Sequence, residues 1–177
     1  MLGAVFLDLN GTLVLPVLVQ DLAELKPIPG AARAVAQLNR AGYRTPVVTI
    51  QSRIAKGLFT LGEFTEWFQG LTATFREEGA HLEGPYVCPH RFADPCACKK
   101  PNSLLYERAA TDCQVSLPRS YTIGDTQLDL DAARRFGGVG CLVLTGETQS
   151  RPACSGSAFM GDTLGNVADW IIARSAG

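Results

Sequence analysis

Strand-length apolar runs alternate with helix-length amphipathic stretches along this chain, and that order constrains its fold more than any other feature. Residues 3–9, 43–50, 119–124 and 139–144 read as strands, with a shorter one near Pro85–Val87. Between the first two, residues 30–41 place Ala31, Ala34, Val35 and Leu38 on one helical face and stop at Gly42. Thr60 and Glu63 have the spacing of a capping box, and Leu61, Phe64, Phe68, Leu71 and Phe75 follow at helical intervals as a core stripe. Further helices are expected near 103–112, around Leu128, Ala132 and Phe136 up to Gly137-Gly138, and over Leu164, Val167, Ala168, Ile171 and Ile172. Pro46 cannot donate to a strand ladder, which makes the first half of 43–50 the weaker part of that strand. Residues 146–161 are polar and rich in Gly and Ser, and read as a loop. Strands that alternate with helices imply an α/β fold of three layers, a parallel sheet with helices on both faces.

Bulk properties narrow the function. With 177 residues, one domain over 1–177 is expected, and no insertion is long enough for a separate cap domain. The chain is 46% apolar and 19% charged, with a net charge of −1, so neither nucleic acid nor an anionic membrane is an expected partner. No apolar run reaches the roughly 18 residues of a membrane span. The apolar N-terminus has no basic stretch and carries Asp8 early, unlike a signal peptide. A cytoplasmic location follows as the expectation, where thiols stay reduced. The six cysteines then read as metal ligands or buried thiols; Cys113, Cys141 and Cys154 are scattered and read as structural, and His81 as an ordinary surface histidine.

Four spots lie at or just past predicted strand ends: Asp8, Thr49, the Lys99-Lys100 pair, and Asp125 with Asp129. In an open parallel sheet these ends converge on one crevice. Their chemistry suits phosphoryl transfer. A carboxylate can attack phosphorus, a hydroxyl and an ammonium can hold phosphoryl oxygens, and Asp8, Asp125 and Asp129 could hold Mg²⁺. Each also has an ordinary reading: Asn10-Gly11 as a turn, Thr49 as structural, the lysines as solvated, Asp129 as an exposed helix residue. Separately, Cys88, His90, Cys96 and Cys98 are spaced C-x-H-x₅-C-x-C. Three thiolates and an imidazole suit a closed, structural Zn²⁺ site in a loop at about 88–98, immediately before Lys100. The four ligands sit too close for a nucleic-acid finger with an intervening helix.

Taken in order, these residues resemble the haloacid dehalogenase (HAD) superfamily of phosphohydrolases. The motifs are Asp8-Leu9-Asn10-Gly11-Thr12, Thr49, Lys100, and Gly124-Asp125 through Asp129. The resemblance sharpens to the zinc-containing subgroup of heptose-bisphosphate and histidinol-phosphate phosphatases through Pro29-Gly30, Thr49-Ile50-Gln51-Ser52, Cys88-Pro89-His90, Cys96-Ala97-Cys98-Lys99-Lys100-Pro101 and Leu142-Val143-Leu144-Thr145-Gly146. It implies a capless HAD-like fold and a phosphatase for a small phosphorylated metabolite, here taken to act as a monomer. Asp8 would be the nucleophile, Thr49 and Lys100 phosphate ligands, and Gln51, Ser52, Arg53 and Lys99 substrate contacts. Mg²⁺ would bind Asp8, the Asn10 backbone carbonyl, Asp125 and Asp129; Zn²⁺ would bind the Cys/His loop.

One departure bears on catalysis. The family has an acid at position 10 that protonates the leaving oxygen and later activates water; Asn10 can do neither. General acid–base catalysis is worth about 10²–10⁴-fold. Reduced turnover is expected, with a non-catalytic binder of a phosphorylated ligand or a protein partner as the alternative. Asn-Gly also favours deamidation, which would restore an acid there. Other departures concern recognition: Ile50 and Arg53 replace the family's Asn and Gly, Lys99 replaces an arginine, and Ser103-Leu104-Leu105 replace Pro-Gly-Met. Lysine lacks the bidentate fork of arginine. Arg53 and Lys56 could supply replacement charge.

Overall fold

The computed structural model describes residues 3–147 and 154–175. Its first strand, β1 (Val5–Leu7), is followed by a small antiparallel pair, β2 (Val14–Leu15) and β3 (Lys26–Pro27). Helix α1 (Ala31–Arg40) leads to β4 (Pro46–Ile50), a short helix α2 (Ser52–Ala55) and a long one, α3 (Leu61–Glu77). Strand β5 (Glu83–Cys88) runs into the Cys/His loop, then α4 (Leu104–Cys113), β6 (Tyr121–Gly124) and α5 (Gln127–Phe136). Strands β7 (Val139–Val143) and β8 (Phe159–Gly161) precede the last helix, α6 (Leu164–Ser175).

Six strands form one parallel sheet in the order β5-β4-β1-β6-β7-β8. The chain runs outward from β1 through β4 to β5, then crosses back and runs outward the other way from β6. The order therefore reverses between β1 and β6, and an open α/β sheet has its ligand crevice at such a reversal.

Side-chain alternation on the strands builds two cores. Val5, Leu7, Val47, Ile123, Cys141 and Val143 pack with α1, α3 and α6; Ala4, Phe6 and Val48 pack with α4 and α5. Phe6, Tyr106 and Phe136 meet edge-on or tilted at centroid separations of 5.2–5.6 Å. The three-layer arrangement expected from the sequence is thus present. At the start of α3, the Thr60 hydroxyl accepts from the Glu63 N–H and the Glu63 carboxylate accepts from the Thr60 N–H, the expected capping box.

Four readings need correction. Residues 146–161 are not all loop: Phe159–Gly161 pair in parallel with β7. Their strand is three residues long, too short to show a period, and is held by the sheet edge and by Phe159 stacking on Trp170. Leu61 is 47% exposed, so the α3 stripe begins at Phe64. On α5 the buried leucine is Leu130, with Leu128 only partly covered. Asp129 is 2% exposed, not on the solvent face. The strand at 43–50 forms from Pro46 onward, and the weaker first half is outside it.

Candidate active site

The β1/β6 reversal carries the charged groups. Asp8 follows β1, and its N–H donates to the Ile123 carbonyl of β6 at 2.9 Å. Asp125 follows β6 directly. The Lys100 ammonium, from the segment between the Cys/His loop and α4, donates to Asp8 Oδ1 at 2.6 Å and to Asp129 Oδ1 at 2.7 Å. The Lys100 and Asp129 side chains are each 3% exposed and that of Asp8 13%. Asp129 reaches this position because it closes the first turn of α5. Its Oδ2 accepts from the Thr126 hydroxyl at 2.9 Å and from the Thr126 N–H at 3.3 Å.

Burial dominates the electrostatics. It pushes the Asp8 carboxyl up to about 7; Lys100 opposes this, and Asp129 and Asp125 add to it. Burial likewise raises Asp125 to about 6, against the N–H of Glu147 and with the repulsion of Asp129. For Lys100, burial disfavours the ammonium, but Asp129 and Asp8 outweigh it and hold its pKa well above that of a free lysine. Three carboxylates thus converge with one ammonium, leaving an excess of oxygen donors. That donor set fits a hard divalent cation such as Mg²⁺, which would relieve the repulsion among them.

Glycines shape this pocket. A Cβ on Gly146 would lie 1.9 Å from Asp125 Oδ2, and one on Gly11 would lie 2.4 Å from it. Gly11 also holds φ +85°, which favours glycine. The Glu147 N–H donates to Asp125 Oδ2 at 2.7 Å, and the Thr145 hydroxyl donates to the Gly11 carbonyl at 2.6 Å. The turn after β7 therefore fixes both Asp125 and the turn after β1. Sequence reasoning missed this role, although Thr145-Gly146 was legible as a strand end on the same edge.

The β4 side of the crevice is neutral. Thr49 is 1% exposed, Gln51 3% and Ser52 4%. Gln51 Nε2 donates to Asn10 Oδ1 at 2.8 Å and to Thr49 Oγ1 at 3.0 Å, so three residues read separately from the sequence form one chain. Arg53 and Lys99 are placed differently from the other candidates. Arg53 Nε donates to the Val19 carbonyl, tying α2 to the segment between β2 and β3. Lys99 Nζ donates to the carbonyls of Phe92 and Asp94, each at 2.7 Å, and so clips the Cys/His loop. Among the described residues, neither makes a hydrogen bond or ion pair to Asp8, Thr49 or Lys100.

In that loop, the ligand atoms of Cys88, His90, Cys96 and Cys98 all lie within 4.8 Å of one another. Cys88 Sγ is 3.7 Å from both Cys96 Sγ and His90 Nδ1, and His90 Nδ1 is 3.2 Å from Cys98 Sγ. A tetrahedron with Zn–S bonds of about 2.3 Å has S–S edges of about 3.8 Å, so the donor set and spacing fit Zn²⁺. Cys88, Cys96 and Cys98 form no disulfide, so all three thiols are available as ligands. Arg91 Nη2 and the Ala55 carbonyl, 3.2 Å apart, join the loop to the end of α2.

Comparison with known proteins agrees with this geometry. Residues 97–167 match the Hydrolase-like family model, described as HAD-hydrolase-like. The chain is 31% identical over 163 residues to the D-glycero-beta-D-manno-heptose-1,7-bisphosphate 7-phosphatase of Neisseria meningitidis serogroup A, covering 89% of this chain and 87% of that protein. It is 32% identical over 181 residues to the Salmonella typhi protein of the same name, covering 96% and 89%. The crystal structure of D,D-heptose 1,7-bisphosphate phosphatase from B. bronchiseptica, complexed with magnesium and phosphate, superposes with a TM-score of 0.87 at 26% identity, covering 98% of this chain and 99% of that one. The chain belongs to the HAD-like phosphatase family. It is a phosphoric monoester hydrolase by type, and its similar relatives carry the heptose-bisphosphate phosphatase name.

Proposed function

We propose that this chain is a Mg²⁺-dependent phosphatase of a sugar bisphosphate or a similar small phosphorylated metabolite, working through an aspartyl-phosphate at Asp8 with reduced turnover. The observation that carries this reading is Lys100, held between Asp8 and Asp129 at the reversal of the sheet with Asp125 alongside. An Asp8 oxygen bonds to phosphorus as the ester oxygen leaves; water then attacks phosphorus, releasing inorganic phosphate and restoring the carboxylate. Lys100 and Thr49 hold the phosphoryl oxygens. Asp8, Asp125, Asp129 and the Asn10 backbone carbonyl would hold Mg²⁺, which when bound neutralises charge on the transferring group. Asn10 stands where proton transfer is needed and supplies none. Zn²⁺ held by Cys88, His90, Cys96 and Cys98 would pin the loop that delivers Lys100. Gln51, Ser52, Arg53 and Lys99 are assigned to substrate; Arg53 keeps its two Nη groups, and Lys99 one N–H, beyond the bonds to backbone carbonyls.

We place the protein in the cytoplasm as one domain and a monomer. Thiolate ligands favour a reducing compartment, and among the described residues no helix is long and apolar enough to cross a membrane. A second reading, a phosphorylated-ligand or protein binder without turnover, draws on Asn10 and its bond to Gln51. A phosphoester panel with Mg²⁺ and Zn²⁺ separates the two. The phosphatase reading expects slow phosphate release that Asp8→Ala abolishes; no release from any ester, with Mg²⁺ binding intact, would support the binder.

A further inference from the structure

The contacts of Asn10 bear on the proton transfer that the site lacks at this position. Asn10 Oδ1 already accepts from Gln51, which is itself buried and anchored on Thr49. What the amide can turn to a substrate is therefore its NH₂, a donor that can hold an oxygen but cannot transfer a proton at neutral pH. Among the described residues, neither histidine nor Lys100 replaces the missing acid. The chain has two histidines. His90 sits within the Cys88/Cys98 cluster, and His81 is exposed, with its N–H donating to Asn39. The Lys100 ammonium is held as a cation by two carboxylates. Glu147, whose N–H is bound to Asp125, is a carboxyl beside this site with its side chain in solvent.

A leaving group in this site must depart as its anion. In phosphoryl transfer the transition state is loose, so much of the bond to the leaving oxygen is already broken and its charge is large. The penalty for omitting the acid then scales with the basicity of that oxygen. An alcohol has a pKa near that of water, about 15.7, whereas a carboxylic acid lies near about 4. Resting on the reading of Asp8 as nucleophile, we propose that leaving-group acidity is the specificity determinant of this site. It takes acyl phosphates and other activated phosphates far better than esters of plain alcohols. The first step forms the bond from an Asp8 oxygen to phosphorus and releases the leaving group as its anion, unprotonated. The second, attack by water with its proton lost to solvent, also lacks a base, so phospho-Asp8 accumulates.

The test compares kcat/KM for acetyl, 4-nitrophenyl, phenyl and ethyl phosphate with Mg²⁺ in the parent protein, Asn10→Asp, Glu147→Gln and Asp8→Ala. Peptide mass analysis first confirms an unmodified Asn10. The parent should lose rate along that series. Asn10→Asp should raise the ethyl phosphate value by about 10²–10⁴-fold and the acetyl phosphate value far less. Acid-quenched parent incubated with acetyl phosphate should carry one phosphoryl group on Asp8, and Asn10→Asp much less. A parent rate indifferent to the leaving group, but lost in Asp8→Ala, overturns the inference while the Asp8 reading stands. Loss of ethyl phosphate turnover in Glu147→Gln overturns it too, by locating a proton donor. Rates unchanged by Asp8→Ala on every substrate overturn the Asp8 reading itself.

Discussion

The two sides of the crevice use opposite chemistry. On the β1/β6 side, the buried Lys100 ammonium makes short, charge-assisted contacts with Asp8 and Asp129, and buried Asp125 lies alongside. On the β4 side, the Asn10-Gln51-Thr49 chain is built of neutral amides and a hydroxyl. The first side holds charge and the second should move protons. On the proposed reading, the site keeps the mutually dependent electrostatics of phosphoryl transfer while Asn10, two residues from Asp8, supplies no acid–base chemistry. Asn for an acid is nearly isosteric, so the fold has no reason to change.

The charged side can be broken most severely at Lys100. Lys100→Met leaves two buried carboxylates without their cation and should destabilise the Mg²⁺-free protein by about 3–5 kcal/mol in chemical denaturation. It should also abolish measurable phosphate release. Metal-free parent protein should show the cost of the carboxylates as a pH dependence. Asp8 is raised from 3.8 to about 7, so between those values the folded state keeps a proton that the unfolded chain has lost. Stability should therefore fall as pH rises through that window, and Mg²⁺ should restore it at the upper end. Melting curves with chelator and with Mg²⁺ across the window check the sign. A smaller effect is expected at Gly146→Ala. Its Cβ would be driven onto Asp125 Oδ2, and Mg²⁺ affinity should drop roughly 10–100-fold, as for other groups that orient metal ligands. Calorimetric titration measures this. Thr60→Ala, remote from both sides, should cost about 1 kcal/mol through the lost α3 cap and leave kcat unchanged.

The sequence revealed these two sides unequally. Asp8, Thr49 and Asp125 were legible because each stands at or next to the end of an apolar strand, and a parallel sheet brings such ends to one edge. The Cys/His loop was legible because ligand spacing is local. Lys100 and Asp129 were legible as members of the same crevice, but their direct bond was not, since it joins a capping acid of α5 to a lysine 29 positions earlier. The Gln51 relay and the Gly146 contact are likewise tertiary, made by elements distant in the chain. Strands β2, β3 and β8 are two or three residues long, below the length at which alternation can be read. Arg53 and Lys99 illustrate a further limit: each bonds a backbone carbonyl of another segment, a contact that no local pattern announces.

On the proposed reading, phosphate and metal handling are assembled and proton transfer alone is missing. Phosphate release from a sugar phosphate by Asn10→Asp and by the parent, at saturating Mg²⁺ with the Mg²⁺ affinity of both measured, tests it most directly. A rise in rate of about 10²–10⁴-fold with unchanged affinity is expected; an unchanged rate at equal Mg²⁺ occupancy would overturn this reading.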